Sequence, residues 1–180
     1  GHLCDGVRVR IVDDDGNDQP TGQEGEIWSN GPDLFLGYVD ASLDEDAFAP
    51  GGWYKTGDIG RLDSANNLTI TDRKKDIIIR AGETLSSREI EEHLAAIPGV
   101  LEVAVIGLPD ERYGERICAV IRQQGAVELG VDEIDRHFRK RGVARFKTPE
   151  HVVTIPDFPR TTSGKIQKNI LRKKILTAFA

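Results

Sequence analysis

The stretch DRKKDIIIRAGETLSSREIE, residues 72–91, contains the change of pattern that decides the fold. It opens with five charged residues, continues with the apolar residues 77–79, and reaches a turn at Gly82. Ser86, with Glu89 three positions later, is the signature of a helix start in which each side chain caps the other's backbone. A polar joint followed by a strand, a turn and a helix predicts a boundary between two domains. The charged run is either an exposed turn or a hinge.

On the amino-terminal side, residues 1–72 consist of strand patterns separated by turns. VRVRIVD (7–13) alternates apolar and polar residues with period two, which is typical of a strand with one buried face. GEIWSNG, GDIGRLD and NLTITD are further predicted strands, and DDGND and SANN supply turns. These residues are therefore predicted to form a small, β-rich, barrel-like subdomain.

On the carboxy-terminal side, helices alternate with strands. Ile90, Leu94 and Ile97 share one apolar helix face, and Pro98-Gly99 is expected to end that helix. VLEVAVIGLP, ERICAVIR and HVVTI are predicted strands; VDEIDRHFRKRG is a predicted helix with Asp132 as its N-cap, and QKNILRKKIL is a last helix.

The fold class predicted for the whole chain is α+β, in three parts. The β-rich subdomain occupies residues 1–72, a hinge residues 73–76, and a compact α/β unit residues 77–180. In that unit a short central sheet is expected to be flanked by helices.

The composition predicts a soluble globular protein, with 38% hydrophobic and 30% charged residues among 180. No apolar run approaches the ~20 residues that span a membrane, and the first residues lack the features of a secretory signal. Cys4 and Cys118 are far apart and the four histidines are scattered, so we expect no metal site and a reducing, cytoplasmic compartment. Because the chain contains no methionine and begins within a strand-like pattern, we expect a fragment of a longer protein.

Charge is distributed unevenly along the chain. Residues 135–180 carry 12 Lys and Arg against 3 Asp and Glu, a net charge of +9, whereas residues 1–134 carry 12 against 27, a net charge of −15. A basic end favours an anionic partner, either nucleic acid or a small molecule with phosphates, although a solvated helix face explains the same excess. The basic residues are not interleaved with aromatic ones, which counts against nucleic acid.

The stretch PRTTSGK, residues 159–165, places Lys165 directly after a glycine in a polar turn. A phosphate-binding P-loop would need glycine at Pro159 and serine or threonine at Ile166, so that motif is excluded. Lys165 is therefore either a catalytic cation presented by a loop or an ordinary solvated lysine.

Two other turns contain candidate residues. In the Thr-Gly-Asp turn at 56–58, Asp58 either accepts hydrogen bonds from vicinal ribose hydroxyls or is simply a hairpin aspartate. Gly82 either permits close backbone approach of a ligand or is an ordinary turn glycine.

Taken together and in this order, YKTGD, DRKKDIIIRAGETLSSREIE and PRTTSGK strongly resemble the adenylate-forming superfamily. This superfamily includes AMP-dependent acyl-CoA synthetases, luciferases and the adenylation domains of peptide synthetases. The resemblance covers essentially the whole chain, and GETLSSREIEE with FKTPEHVVTIPDFPRTTSGKIQK is most similar to bacterial short- and medium-chain fatty acid and alicyclic acid CoA ligases. It implies that residues 1–72 end the large adenylation domain and that residues 77–180 form its mobile carboxy-terminal lid.

The resemblance assigns four residues to ATP chemistry and lid movement. Asp58 and Arg73 match residues that contact the ribose of ATP and AMP. Lys75 falls at the hinge about which the lid rotates. Lys165 matches the lysine that stabilises the adenylation transition state.

Other residues are implied to contact CoA. Gly82 matches the glycine beside the pantetheine tunnel, and Ala81 and Glu83 flank it. Many relatives have arginine at the next position, where this chain has Thr84. The CoA phosphates are expected to be attracted by basic residues of the terminal region, namely Lys140, Arg141 and Arg145.

The implied reaction joins a carboxylic acid to CoA with conversion of ATP to AMP and pyrophosphate, through an acyl-adenylate. Mg²⁺ is expected to arrive with ATP, without a ligand from these residues. The phosphate loop and the acyl pocket of the family lie upstream of Gly1, so the 180 residues alone are expected to be inactive. The alternatives are an aryl-acid adenylating enzyme that loads a carrier protein, a basic nucleic-acid-binding module, and a non-catalytic interaction domain. The oligomeric state is not predicted.

Overall fold

The computed structural model describes residues 1–125 and 129–179, and the chain divides into two compact units. Unit 1 is Gly1–Lys75 and unit 2 is Asp76–Ala180. The division falls within the segment 73–76, and movement at that segment stays a prediction.

Unit 1 is built on one antiparallel sheet, as its strand patterns predict. The strand order is β1-β2-β4-β3, and β5 also pairs with β4. Shifts of register within β2 and β4 bend the sheet. Its elements are β1 (Arg8–Val12), β2 (Gly25–Asn30), α1 (Asp44–Ala47), β3 (Phe48–Ala49), β4 (Trp53–Leu62) and β5 (Leu68–Arg73), with 3-10 helices at Ala41–Leu43 and Lys74–Asp76.

Unit 2 is a mixed sheet flanked by helices, which confirms the predicted α/β character. The strand order is β10-β9-β6-β7, with β8 also paired to β9; β10 runs parallel to β9 and the other pairs are antiparallel. Its elements are β6 (Ile78–Arg80), β7 (Glu83–Leu85), α2 (Ser87–Ala95), β8 (Val100–Asp110), β9 (Gly114–Gln123), α3 (Val131–Lys140), a 3-10 helix (Arg145–Lys147), β10 (His151–Thr154) and α4 (Lys168–Phe179).

Both faces of the long β8–β9 hairpin are buried, because successive side chains point to opposite faces of a strand. On one face, Val105 and Ile117 belong to the cluster that contains the buried residues of α2 and α3. On the other face, Ile106 and Cys118 belong to the cluster that contains Leu171 of α4. The hairpin is thus the rigid centre of unit 2, and its two ends can hold separate functional loops.

The helix starts agree with the sequence at α2 but not at α3. Ser86 accepts a hydrogen bond from the Glu89 amide at 3.1 Å, as the capping pattern predicts. The prediction that Asp132 caps α3 is wrong, since the N-cap is Gly130. The Glu133 carboxylate accepts the Gly130 amide at 3.1 Å, so the helix begins earlier, and Asp132 lies in its first turn.

The charged run at 72–76 is not uniformly exposed. Asp72 is buried, with 8% of its surface accessible, because it lies near the end of β5 rather than in a turn. Only the following residues, Lys74–Asp76, leave the strand, as a 3-10 helix. The interpretation of the whole run as an exposed turn is therefore wrong at its first two residues.

Candidate functional site

Asp58 and Arg73 face each other across β4 and β5 in unit 1. They are direct partners in the strand register, and the Arg73 Nε donates to Asp58 Oδ1 at 2.8 Å. Asp58 is 26% and Arg73 51% exposed, so both can still meet a ligand. Asp58 Oδ1 is the oxygen that accepts this bond.

The turn before Asp58 is held in place by Thr56. The Thr56 hydroxyl donates to the Ile27 carbonyl at 2.7 Å and accepts the Asp58 amide at 3.1 Å. Gly57 between them has φ +70°, a conformation that favours glycine. The carboxylate is therefore fixed by its backbone as well as by Arg73.

A shallow pocket of about 370 Å³ lies beside this turn. It is lined by Thr56, Gly57 and the basic residues Arg73, Lys74 and Lys75. Burial lowers the pKa of Lys74, but hydrogen bonds to Glu26 and Asp14 outweigh it, so the pKa is raised overall. Lys74 is thus a structural cation that ties this segment to unit 1.

An aromatic cluster next to the same strand was not predicted from the sequence. Phe35 contacts the rings of Tyr38, Phe48 and Tyr54 at centroid distances between 5.1 and 5.4 Å. The hydrogen bond with Tyr38, together with burial, raises the pKa of Tyr54. Tyr54 lies four positions before Asp58 on β4, so the cluster packs near the start of that strand. These aromatics are scattered in sequence, and only the sheet brings them together.

In unit 2, Lys165 lies at the end of a tight, hydrogen-bonded hairpin. Arg160 pairs with Ile166 in an antiparallel bridge, and the Thr161 amide donates to the Lys165 carbonyl at 2.9 Å. The Lys165 amide in turn donates to the Thr161 hydroxyl at 3.1 Å, and Gly164 has φ +84°. Lys165 is exposed, and within the described residues of unit 2 its ammonium has no side-chain partner. An ordered backbone thus presents an unpaired cation.

Ala81 and Gly82 form the two-residue turn between β6 and β7. Both have positive φ, +52° and +84°, which is the geometry of a tight primed hairpin turn. The Ala81 amide donates to the Tyr113 carbonyl at 2.7 Å, so the turn is attached to the β8–β9 connection. Glu83 and Thr84 are exposed beside it. Apart from its two chain neighbours, no described residue has an atom within 4 Å of the position that a Gly82 Cβ would occupy, so one side of this turn is open.

The Lys165 hairpin and the Ala81-Gly82 turn are attached at opposite ends of β9. Arg80 pairs with Gly114 at the start of β9, whereas Arg160 bonds to Glu102, which pairs with Arg122 near the strand's end. Eight residues of strand separate the two attachment points, roughly 27 Å at the usual rise per residue. One rigid unit therefore holds two candidate loops far apart.

The basic residues predicted to attract the CoA phosphates have different surroundings. Lys140 is exposed at the end of α3, and the Arg141 Nε donates to His93 Nδ1 at 3.1 Å. Arg145 lines a pocket of about 620 Å³ together with Arg80 and Glu150. Arg80 was not predicted; it bonds to Glu150 at 2.7 Å and stacks over the Tyr113 ring at 4.7 Å.

The described residues contain no group of three or more His, Cys, Asp or Glu arranged to hold a metal ion. None of their helices combines the length and apolar character that crossing a bilayer requires. Cys4 is exposed and Cys118 buried, and both are free thiols.

Comparison with known proteins identifies the carboxy-terminal part of the chain. Residues 89–165 match the family described as AMP-binding enzyme C-terminal domain. Over 178 residues the chain is 46% identical to the medium-chain fatty-acid–CoA ligase of Escherichia coli, covering 98% of this chain and 31% of that protein. Over 174 residues it is 38% identical to a salicyl-AMP ligase / salicyl-S-ArCP synthetase of Mycobacterium tuberculosis, covering 96% and 31%. The chain thus spans about a third of the length of these curated relatives.

Comparison with solved structures shows that related enzymes share the fold of this chain. ATP-bound MatB from Rhodopseudomonas palustris matches with a TM-score of 0.89 and 34% identity, over 97% of this chain and 35% of that one. The amide bond synthetase McbA from Marinactinospora thermotolerans matches with a TM-score of 0.84 and 32% identity, over 97% and 36%. Residues 89–165 therefore carry an AMP-binding enzyme C-terminal domain, and nearly the whole chain is similar to enzymes of the adenylate-forming superfamily.

Proposed function

We propose that this chain is the carboxy-terminal part of an AMP-forming acid–thiol ligase. The complete enzyme would convert a carboxylic acid, ATP and CoA to acyl-CoA, AMP and pyrophosphate through an acyl-adenylate. The observation that carries the proposal is the unpaired Lys165 on an ordered hairpin, at the end of the segment that matches the AMP-binding enzyme C-terminal domain. The missing two thirds would supply the phosphate loop and the acyl pocket, so the 180 residues alone would be inactive.

In the first half-reaction, Asp58 and Arg73 would bind the nucleotide. Asp58 would accept hydrogen bonds from the ribose hydroxyls while its Oδ1 stays bonded to Arg73. The fixed Thr56–Gly57 turn supports this role, because it spares the carboxylate from reorienting when the ribose binds. Mg²⁺ would enter with ATP.

Lys165 would stabilise the charge that develops between the substrate carboxylate and the α-phosphate. A carboxylate is a poor electrophile, and the adenylation transition state concentrates negative charge where an ammonium can offset it. An unpaired cation on an ordered loop is suited to this role, because no existing ion pair has to be broken first.

In the second half-reaction, the Ala81-Gly82 turn would replace Lys165 at the reaction centre and admit CoA. The open side of Gly82 supports passage of a pantetheine arm, with Ala81 and Glu83 on either side. Lys140 would attract the CoA phosphates from the exposed end of α3. Because the two loops are attached at opposite ends of β9, one site can use both only if unit 2 turns. We place the pivot at Lys75.

The acid is proposed to be a short- or medium-chain fatty acid or an alicyclic acid, processed in the cytoplasm. The 46% identity to a medium-chain fatty-acid–CoA ligase supports this choice. An aryl acid passed to a carrier-protein thiol is the second candidate, supported by the 38% identity to a salicyl-AMP ligase / salicyl-S-ArCP synthetase.

The test is an acid-dependent exchange of pyrophosphate into ATP by the full-length enzyme. Octanoate and cyclohexanecarboxylate should support exchange, whereas salicylate should not, and free CoA should accept the acyl group. Exchange with salicylate alone, or transfer only to a pantetheinylated carrier protein, would establish the second candidate. Absence of exchange with all these acids would refute adenylation of either class.

A further inference from the structure

The hairpin that carries Lys165 contacts the central β-hairpin in two ways, through the packing of Ile166 against the buried core and through the carboxylate of Glu102. Glu102 on β8 lies opposite Arg122 on β9, and the Arg122 Nε donates to Glu102 Oε2 at 2.6 Å. The other oxygen, Oε1, accepts a hydrogen bond from Arg160 at the base of the Lys165 hairpin. Glu102 thus uses both oxygens, one toward the rigid sheet and one toward the loop.

Arg160 extends this connection into the loop itself. Its Nη2 binds Glu102, while its Nη1 donates to the carbonyl of Gly164 at 3.1 Å. Gly164 directly precedes Lys165. A continuous path of charge-assisted hydrogen bonds therefore runs from Arg122 through Glu102 and Arg160 to the peptide unit that carries the candidate catalytic lysine.

We infer that Glu102 is a positioning residue, whose carboxylate fixes the 160–166 hairpin and thereby sets the place of the Lys165 ammonium in the first half-reaction. The inference rests on the proposed function. Glu102 itself touches no substrate, and it acts through Arg160.

The surroundings of Glu102 separate this role from general stabilisation. Its side chain is 27% exposed and that of Arg160 is 32% exposed, and ion pairs this accessible contribute little to folding. The flanks of the hairpin are held independently, by buried Phe158 before it and Leu171 after it. Removing the carboxylate should therefore leave unit 2 folded and loosen only the loop.

The charge state of Glu102 agrees with this role. The hydrogen bond from Arg160 lowers the pKa of Glu102, against an opposing effect of burial, and Arg122 adds to the lowering. The carboxylate therefore stays ionised at neutral pH, where adenylation would take place.

The experiment uses Glu102→Gln in the full-length enzyme, which preserves size and removes the charge. The matched control is Asp110→Asn, on the same strand, where another carboxylate of lowered pKa pairs with Arg116 away from the hairpin. The first measurement is hydrogen exchange of peptides that cover the bonded amides of Thr161, Gly164 and Gln167. We expect exchange there to become at least about tenfold faster in Glu102→Gln and to stay unchanged in Asp110→Asn.

The second measurement is a cycle with Lys165→Ala. Glu102→Gln should slow adenylation by about 10- to 100-fold with unchanged KM for ATP and acid, because small displacements of a catalytic group cost rates of this order. In the Lys165→Ala background the same change should have no further effect, since the carboxylate acts only through that lysine.

Three results would overturn the inference. The first is unchanged hydrogen exchange in Glu102→Gln, and the second is faster exchange in the hairpin with a normal adenylation rate. The third is that Glu102→Gln slows adenylation as much in the Lys165→Ala background as in the parent enzyme. Failure of the proposed function looks different. In that case Lys165→Ala would leave adenylation unaffected. A loosened hairpin in Glu102→Gln would then show that Glu102 orders the loop without serving adenylation, which also overturns the inference.

Discussion

Lysines in this chain differ in whether their ammonium group is already bonded to a carboxylate. Lys147 bonds to Glu89 Oε2 at 2.7 Å, Lys168 to Glu91 at 2.7 Å, and Lys74 to Glu26 at 3.1 Å, so these three are structural. Lys173 on α4 is exposed like Lys165, but it lies on a solvated helix face. Among these five, and within the described residues of unit 2, Lys165 combines an ammonium without a side-chain partner with a hydrogen-bonded hairpin backbone, so we assign the role of catalytic cation to it.

The two cysteines are expected to differ in reactivity. Burial raises the pKa of Cys118 from an ordinary value of 9.0 to about 12, whereas Cys4 is exposed. At pH 8, a thiol reagent should therefore label Cys4 but not Cys118 in the folded full-length enzyme. After denaturation it should label both. Mass mapping of labelled peptides gives the answer, and rapid labelling of Cys118 in the native state would contradict the buried position.

The buried Cys118 thiol should make the folded protein less stable at high pH. Because the folded pKa of Cys118 lies above the unfolded one, its contribution is fully present below pH 9 and is lost as the pH rises through about 12. Cys118→Ala should remove this part of the alkaline destabilisation. Urea unfolding at pH 8 and pH 10 measures it, and equal pH dependence of variant and parent would count against the assignment.

The β6–β7 turn stores backbone strain. Ala81 has φ +52°, a left-handed conformation that costs a residue with a Cβ about 1–2 kcal/mol. Ala81→Gly should remove that cost. It should also lower stability by about 0.5–1 kcal/mol, because glycine makes the unfolded chain more flexible. The net expectation is a gain of about 0–1.5 kcal/mol in the free energy of unfolding, measured as a higher Tm. A lower Tm would show that the turn is not strained.

Elements with local signals could be predicted from the sequence, and those defined by distant contacts could not. Period-two alternation predicted β1, and the Ser86–Glu89 pair predicted the start of α2. The cap of α3 was misassigned because Asp132 is a common cap, whereas Glu133 decides the start through its hydrogen bond to the preceding turn. The three-residue strand β7 was missed, since it has no alternation long enough to detect.

In the candidate site too, some residues have a local sequence signal and others are defined only by contacts between distant parts of the chain. Lys165, Asp58 and Gly82 stand in recognisable turns, so the motifs themselves were visible in sequence. The pairing of Asp58 with Arg73 needed the β4–β5 register. Glu102 lies 58 positions from Arg160 in sequence and in no motif, so only the folded sheet connects them.

In the complete enzyme, unit 2 would have to present its two loops to one reaction centre in turn. Lys75→Pro, in the full-length enzyme, would fix φ near −65° at the proposed pivot. We expect adenylate formation to persist while thioester formation falls, because one pose is trapped. Lys75→Ala, which leaves φ free, is the control and should keep both steps. Equal losses of both half-reactions in Lys75→Pro would contradict a pivot at this residue.

Our principal proposal is that Lys165 serves the first half-reaction of an adenylate-forming enzyme. Its most direct test is to measure both half-reactions separately in full-length Lys165→Ala, with Lys173→Ala as the control for loss of an exposed lysine. Adenylation should fall by about 10²–10³, the usual value of one cation or donor placed against developing charge. Thioester formation from pre-formed acyl-adenylate and CoA should proceed at close to the normal rate. If instead both steps stay within a small factor of the parent enzyme, Lys165 is an ordinary solvated lysine and the claim is wrong.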